Sequence, residues 1–263
     1  MKSCLWIFPV VFSLIRQSSS EKYKWKGCRQ CKLDSFTDHD EQTLLLFSFD
    51  GFARKYLKDV KSLQAFSECG ASAEKVYPSY PSITFPNHVT MVTGQYPGHH
   101  GITNNHIYDG SSTKKVTDIR RLNMTSFAKY FHGSQPIWSI FPEKSACFNY
   151  PLCQAPSPQF KPVTYTMGPY KRHSLEDYIT NITNWLLLPQ SERPRLILAY
   201  YEEPDSAGHR QEKLQENLEE IENFIDTFLQ KLYEKDLLDC INIAFVSDHG
   251  NLLSHFQMSR KLG

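Results

Sequence analysis

The chain has 263 residues, 40% of them hydrophobic, which is enough to bury one large core or two modest ones and excludes a disordered protein. Its 29 Lys plus Arg stand against 28 Asp plus Glu, so no overall field favours nucleic acid or an anionic membrane, and any anion has to be held by a local site.

Residues 1–20 hold Lys2, an apolar run over 4–15, Arg16 and the small polar Ser18, Ser19 and Ser20. This is the pattern of a secretory signal peptide cut near the serines. The run is too short to cross a bilayer comfortably, and membrane association is expected only if the segment is kept as an anchor. Loss of Cys4 with that segment leaves six cysteines, Cys28, Cys31, Cys69, Cys147, Cys153 and Cys240. An even number in an oxidising compartment points to structural disulfides, with about fifteen full pairings open. Cys28-x-x-Cys31 has no second CxxC to form a zinc site with, so it reads as part of the disulfide framework. Asn123-Met-Thr125 and Asn181-Ile-Thr183 fit the N-glycosylation sequon, which agrees with export to the cell surface or beyond it.

Residues 21–42 read as a polar, cysteine-bearing leader with little core of its own. The run TLLLFSF at 43–49 predicts a strand buried on both faces, ended by Asp50-Gly51. Tyr56, Leu57, Val60, Leu63 and Phe66 then recur at helical spacing. At Thr84-Phe85-Pro86-Asn87 a proline suited to a first helical turn places Thr84 at the start of a short helix that Gly94 can close in the left-handed conformation. A hydroxyl there sees the positive end of the helix dipole and free backbone N–H groups, a seat for a phosphate. Residues 108–125 are polar and mixed, 136–140 predict a short strand, and the proline-rich 150–169 predict an irregular surface segment. A helix over 175–188, a buried strand over 195–201, an amphipathic helix over 212–234 and a third buried strand over 241–246 complete the pattern.

Strands alternating with helices predict an α/β sheet covered on both faces, with ligands bound at the carboxyl ends of the strands. Asp50, Asp205, Asp248 and His249 all follow core strands. Each has an ordinary reading as a turn former or cap, but carboxylates and imidazoles gathered at one end of a sheet suit Zn²⁺. Asp205 and His209 are spaced to meet on one ion, and Asp248 and His249 are adjacent. Two metals bridged by a carboxylate clamp a phosphoryl group. Thr84 needs such a metal or a base to act as a nucleophile, and Asn105 offers an amide donor to a phosphoryl oxygen.

SFDGF at 48–52, TFPNH at 84–88, VTGQYPGHHGITNN at 92–105, EEPDSAGH at 202–209 and SDHG at 247–250 together resemble the ectonucleotide pyrophosphatase/phosphodiesterase family. The likeness covers about residues 40–250, and its combination of motifs is specific. It implies an alkaline-phosphatase-like α/β/α sandwich with a mostly parallel central sheet, and a catalytic domain over 43–250. It also implies two Zn²⁺, one held by Asp50, Thr84, Asp248 and His249 and the other by Asp205 and His209. Thr84 would form a covalent nucleotidyl intermediate that water then hydrolyses, releasing a nucleoside 5′-monophosphate, and Asn105 would bind the phosphate. Phe85, and by a longer alignment Tyr165, match aromatics that flank a nucleotide base. LLLPQSERP at 186–194 looks closest to the larger nucleotide pyrophosphatase and lysophospholipase D subgroup, but its cysteine-rich somatomedin-like modules are absent.

In that family a downstream histidine completes the second zinc site, whereas this sequence ends at Gly263 with a divergent tail over 251–263. The expectation is therefore a C-terminally truncated member whose sheet is incomplete there. His255 in that tail is not expected to substitute. The implied substrate is a nucleotide or another small phosphodiester, with no nucleic-acid-binding surface. A choline-phosphodiester or lysophospholipid hydrolase, or an inactive form acting as a binding or decoy protein, are the rival readings. Oligomeric state is left open.

Overall fold

The computed structural model describes residues 22–36, 42–109, 115–119, 135–141, 143–153, 163–167, 173–210 and 214–250. The expected signal segment, the Asn123 sequon and the tail after Gly250 lie outside these described residues.

In chain order the elements are β1 (Leu44–Phe49), α1 (Lys61–Ser67), α2 (Thr84–Thr93), α3 (Pro97–His100), β2 (His106–Asp109) and β3 (Lys115–Asp118). They continue with β4 (Ser145–Phe148), β5 (Tyr165–Met167), α4 (Leu175–Leu186), β6 (Leu196–Tyr201), α5 (Asp205–Arg210), α6 (Leu214–Glu234) and β7 (Asn242–Val246). Five strands form one parallel sheet in the order β5-β4-β6-β1-β7, and β2 with β3 forms a separate antiparallel hairpin.

The period-two alternation of a strand sorts the sheet's side chains into two cores. Leu45, Phe47, Phe49, Ile197, Ala199, Tyr201, Ala146 and Phe148 point into the larger one, packed against α1, α4 and α6. Leu196, Leu198, Tyr200 and Cys147 point into the other, against Phe85, Val89 and Val92 of α2 and against Trp138. A sheet buried on both faces explains why the strands read as continuous apolar runs instead of alternating ones. The α/β/α sandwich expected from the motifs is the fold observed.

Four local expectations are corrected. Residues 136–140 form no strand: Ile137–Ile140 is a 3-10 turn that buries Trp138 and leaves Ile140 exposed, and the strand lies further on at β4. Residues 150–169 are not all surface, because Tyr150, Leu152, Cys153 and Val163 are buried and β5 joins the sheet edge, where proline-rich flanks are tolerated. The helix expected over 56–66 is split into a 3-10 turn at Arg54–Lys58 and α1.

The leader is the fourth correction, since it contributes Trp25 and Phe36 to the larger core. Trp25 Nε1 donates to Asp226 at 2.7 Å, Arg29 pairs with Asp239 at 3.0 Å, and the Arg193 guanidinium lies 3.6 Å over the Phe36 ring. The disulfides resolve the open pairing as Cys28–Cys69, Cys31–Cys240 and Cys147–Cys153. The two cysteines of the CxxC thus go to different partners and tie the leader to α1's end and to the turn before β7.

Candidate active site

Parallel register brings the loops after β1, β6 and β7 to one end of the sheet. Phe49 pairs with Tyr201 and Ser48 with Val246, so Asp50, the segment entering α5, and Asp248-His249 emerge side by side. The backbone of Asp50 is pinned from both directions, its N–H donating to Tyr201 O at 2.9 Å and its O accepting from Asp205 N at 3.1 Å. Gly51 follows at φ 66°, and a Cβ there would sit 2.7 Å from Asp205 Cβ, so only glycine allows this approach.

Thr84 opens α2 after an extended Ile83, and Gly94 closes it at φ 66°, as the sequence predicts. Thr84 Oγ1 donates to Asp50 Oδ2 at 3.3 Å and lies 3.5 Å from His249 Nε2. The expectation of free N–H groups at this helix start is corrected at Phe85, whose N–H donates to Asn105 Oδ1 at 2.9 Å. Because a backbone N–H can only meet the carbonyl end of the amide, this bond fixes the orientation of Asn105 and leaves its NH₂ as the donor end.

Asp50 and Asp248 are buried, and each divides its two oxygens in the same way. Asp50 Oδ2 accepts from the Tyr200 hydroxyl at 2.6 Å and from Thr84, while Oδ1 is buried without a hydrogen bond. Asp248 Oδ1 accepts from Gly51 N at 3.1 Å and from His249 N at 2.9 Å, while Oδ2 is likewise orphaned. The two orphaned oxygens face one imidazole nitrogen: His249 Nε2 is 3.3 Å from Asp50 Oδ1 and 3.2 Å from Asp248 Oδ2. Burial pushes both carboxyls above the ordinary range, and Asp50 is raised further by the charges of Asp248 and Asp205. Two buried carboxylates of like charge, each with an unsatisfied oxygen, are relieved by a proton or by a cation placed between them. The ligand atoms of Asp50, Asp248 and His249 all lie within 4.8 Å of one another, so the residues present fit a divalent metal such as zinc, with the Thr84 hydroxyl beside it.

Asp205 and His209 lie one helical turn apart at the start of α5, Oδ2 to Nε2 3.1 Å, with the His209 side chain 77% exposed. Asp205 packs against Gly51, next to the first cluster, and His209 is paired to Asp205 from the exposed side. The ring of Phe85 is not presented to this space, being 2% exposed within the α2-side core; the residue reaches the site through its backbone. Tyr165 is not brought here either. It starts the edge strand β5 opposite Ala146, at the amino end of the sheet, with its hydroxyl donating to Glu192 O at 3.2 Å. Asn181 lies within α4, where its Nδ2 donates to Asp177 O at 2.8 Å.

Sequence reasoning missed three residues of the site's surroundings. His88 Nδ1–H donates to Thr84 O at 2.8 Å, so Nε2 accepts from Ser48 Oγ at 2.9 Å. Burial pushes its pKa down to about 3 and holds the ring neutral, so its 3.5 Å approach to Asp248 is not an ion pair. The spacing of four from Thr84 to His88 was the available signal. Tyr200 and Ser48 gave none, since each sits inside an apolar strand run.

The ends of a parallel α/β sandwich here gather two buried carboxylates, an imidazole and a helix-start hydroxyl, a donor set of the kind that can hold a metal ion beside a hydroxyl. The chain belongs to the Type I phosphodiesterase/nucleotide pyrophosphatase family, which matches residues 44–255. It is 41% identical over 240 residues to a Caenorhabditis elegans ectonucleotide pyrophosphatase/phosphodiesterase, covering 87% of this chain and 31% of that protein. To human ectonucleotide pyrophosphatase/phosphodiesterase family member 1 it is 32% identical over 218 residues, covering 78% of this chain and 23% of the relative. The chain thus spans a third or less of the length of these relatives. Among solved structures, human ectonucleotide pyrophosphatase/phosphodiesterase 5 superposes with a TM-score of 0.70 at 27% identity, over 80% of this chain and 57% of the other. The murine protein of that name gives 0.70 at 25% identity, with the same shares covered.

Proposed function

We propose that this site is the centre of a zinc-dependent phosphodiesterase that cleaves nucleotide pyrophosphate or phosphodiester bonds to nucleoside 5′-monophosphates through a Thr84-linked intermediate. The observation that carries the reading is the convergence of the orphaned Asp50 Oδ1 and Asp248 Oδ2 on His249 Nε2 beside Thr84 Oγ1. Zinc held there would lower the pKa of the Thr84 hydroxyl and polarise a phosphoryl oxygen. Asp205 and His209 are the donors this chain would offer a second zinc.

Thr84 Oγ forms a bond to phosphorus as the bond to the leaving oxygen breaks, and water then displaces Thr84 to release the monophosphate. The nucleophile is positioned from two sides. Asp50 Oδ2 accepts its hydroxyl hydrogen, and neutral His88 holds its backbone carbonyl. The Asn105 NH₂, oriented by the Phe85 N–H, donates to a non-bridging phosphoryl oxygen where charge builds. Disulfides and relatives named as ectonucleotide enzymes support an extracellular location, with residues 1–20 acting as the export signal. Among the described residues no helix is long and apolar enough to cross a membrane.

The test is hydrolysis of a chromogenic nucleotide phosphodiester by the zinc-loaded chain and by Thr84→Ala. Turnover should fall by about a thousandfold or more in the variant. Retained turnover in Thr84→Ala, or faster cleavage of a lysophospholipid than of the nucleotide by the parent chain, would overturn the reading.

A further inference from the structure

We propose that Tyr200 is a positioning residue for the metal centre, its hydroxyl selecting which oxygen of Asp50 is offered to the ion. The inference rests on the metal-site reading above and goes beyond it to a residue that is not itself a ligand.

Tyr200 is the penultimate residue of β6, in register with Ser48 of β1, and its side chain points into the α2-side core. From there the phenol reaches Asp50 Oδ2 at 2.6 Å, among the shortest contacts at the site. The ring is held by its neighbours, edge-on to His88 at 4.9 Å, and the backbone carbonyl accepts from the Tyr178 hydroxyl at 2.6 Å. A phenol fixed in this way is a directed donor.

A carboxylate has two oxygens and about four lone-pair directions, so an unrestrained aspartate can meet a metal through either oxygen or both. The Tyr200 hydroxyl, with Thr84, occupies Oδ2 and leaves Oδ1 as the buried, unpartnered atom that faces Asp248 Oδ2 and His249 Nε2. Asp248 shows the same division by other means, with two backbone N–H groups on Oδ1 and Oδ2 left bare. Both carboxylates are therefore arranged to bind through one oxygen each before any ion arrives. Donors of this kind around ligands typically change metal affinity by about 10–100-fold when removed.

Tyr200→Phe removes the hydroxyl and keeps the ring. Zinc affinity of the 263-residue chain, measured by competition with a chromogenic chelator, should weaken about tenfold or more in this variant. The thermal midpoint of the metal-free form should stay close to that of the parent. Thr43→Val serves as the comparison, because it deletes a buried hydroxyl that donates to Pro194 O at 2.7 Å at the opposite end of β1 from Asp50, and its zinc affinity should be unchanged. Equal zinc affinity in Tyr200→Phe and the parent overturns the inference, and so does equal weakening in Thr43→Val, which would mark a general packing effect. Asp50→Asn separates this inference from the reading beneath it. If Asp50→Asn loses zinc and Tyr200→Phe does not, only the role of Tyr200 fails; if Asp50→Asn binds zinc like the parent, the metal centre itself is wrong.

Discussion

Asn105 has two tasks at the residue scale, and one substitution divides them. Its Oδ1 satisfies the Phe85 N–H at the start of α2, and its NH₂ is the group proposed to meet the phosphoryl oxygen. Asn105→Asp keeps the acceptor and removes the donor. Its unfolding midpoint should stay near that of the parent chain, while nucleotide turnover falls by about 10²–10³-fold, the usual effect of losing one donor to developing charge. A fall in stability with turnover intact would show the amide to be a structural cap alone. Gly51 is constrained on a different ground. Gly51→Ala would place a methyl 2.7 Å from Asp205 Cβ at a backbone angle of φ 66°, and should destabilise the chain by about 1–3 kcal/mol in chemical denaturation.

At the scale of elements, α6 carries the leader through Glu222. Its Oε2 accepts from the Ser62 backbone N–H and hydroxyl at 2.8 and 2.7 Å, and Oε1 accepts from Tyr23 at 2.6 Å and Lys22 at 3.1 Å. Burial alone would raise the pKa of this carboxyl, but the hydrogen bonds from Tyr23, Ser62 and Lys22 outweigh it and hold the value below the ordinary one. A group depressed on folding adds stability above its unfolded pKa of about 4.3, and that stability is lost as the pH falls through the folded value. Thermal midpoints from pH 7 to pH 3 should therefore show the parent above Glu222→Gln at neutral pH and the gap closing below about pH 4. A gap that stays constant with pH would remove the charged network from the account.

What was legible in the sequence follows from how local each signal is. β1 and β6 were readable because a strand buried on both faces is a continuous apolar run, and α2 because Gly94 marks its end; β7 carries the same kind of run but lies at the sheet edge and is only partly buried, which corrects the expectation of a third buried strand. The strand expected at 136–140 failed because only Pro136 and Trp138 are buried there, in a 3-10 turn and its cap, whereas SACF, the real strand, is too short to show a pattern. That Asp50, Asp248 and His249 would meet at one end of the sheet could be read from their places after strands. Tyr200 could not, because its role depends on a pairing with β1, 150 residues away in sequence, that makes its hydroxyl meet Asp50.

On the scale of the whole molecule, two of the three disulfides bind the leader to the sheet domain. Cys31–Cys240 closes a loop with a sequence separation of 209, whereas Cys147–Cys153 spans only 6. If the constraint acts mainly on the unfolded chain, replacing Cys31 and Cys240 by serine should lower the unfolding free energy by about 2–5 kcal/mol in urea titration, and by more than the same change at Cys147 and Cys153. The opposite order would mean that local strain or packing, not loop closure, governs their effect.

The central claim is that this fold gathers a metal centre around a nucleophilic threonine. The most direct measurement is the mass of the Thr84-bearing peptide after rapid quenching of the zinc-loaded chain during turnover of a nucleotide phosphodiester. The account predicts a nucleotidyl adduct on Thr84 that disappears as substrate is exhausted. Turnover with no such adduct, an adduct on another residue, or no turnover at all by the zinc-loaded chain would contradict it.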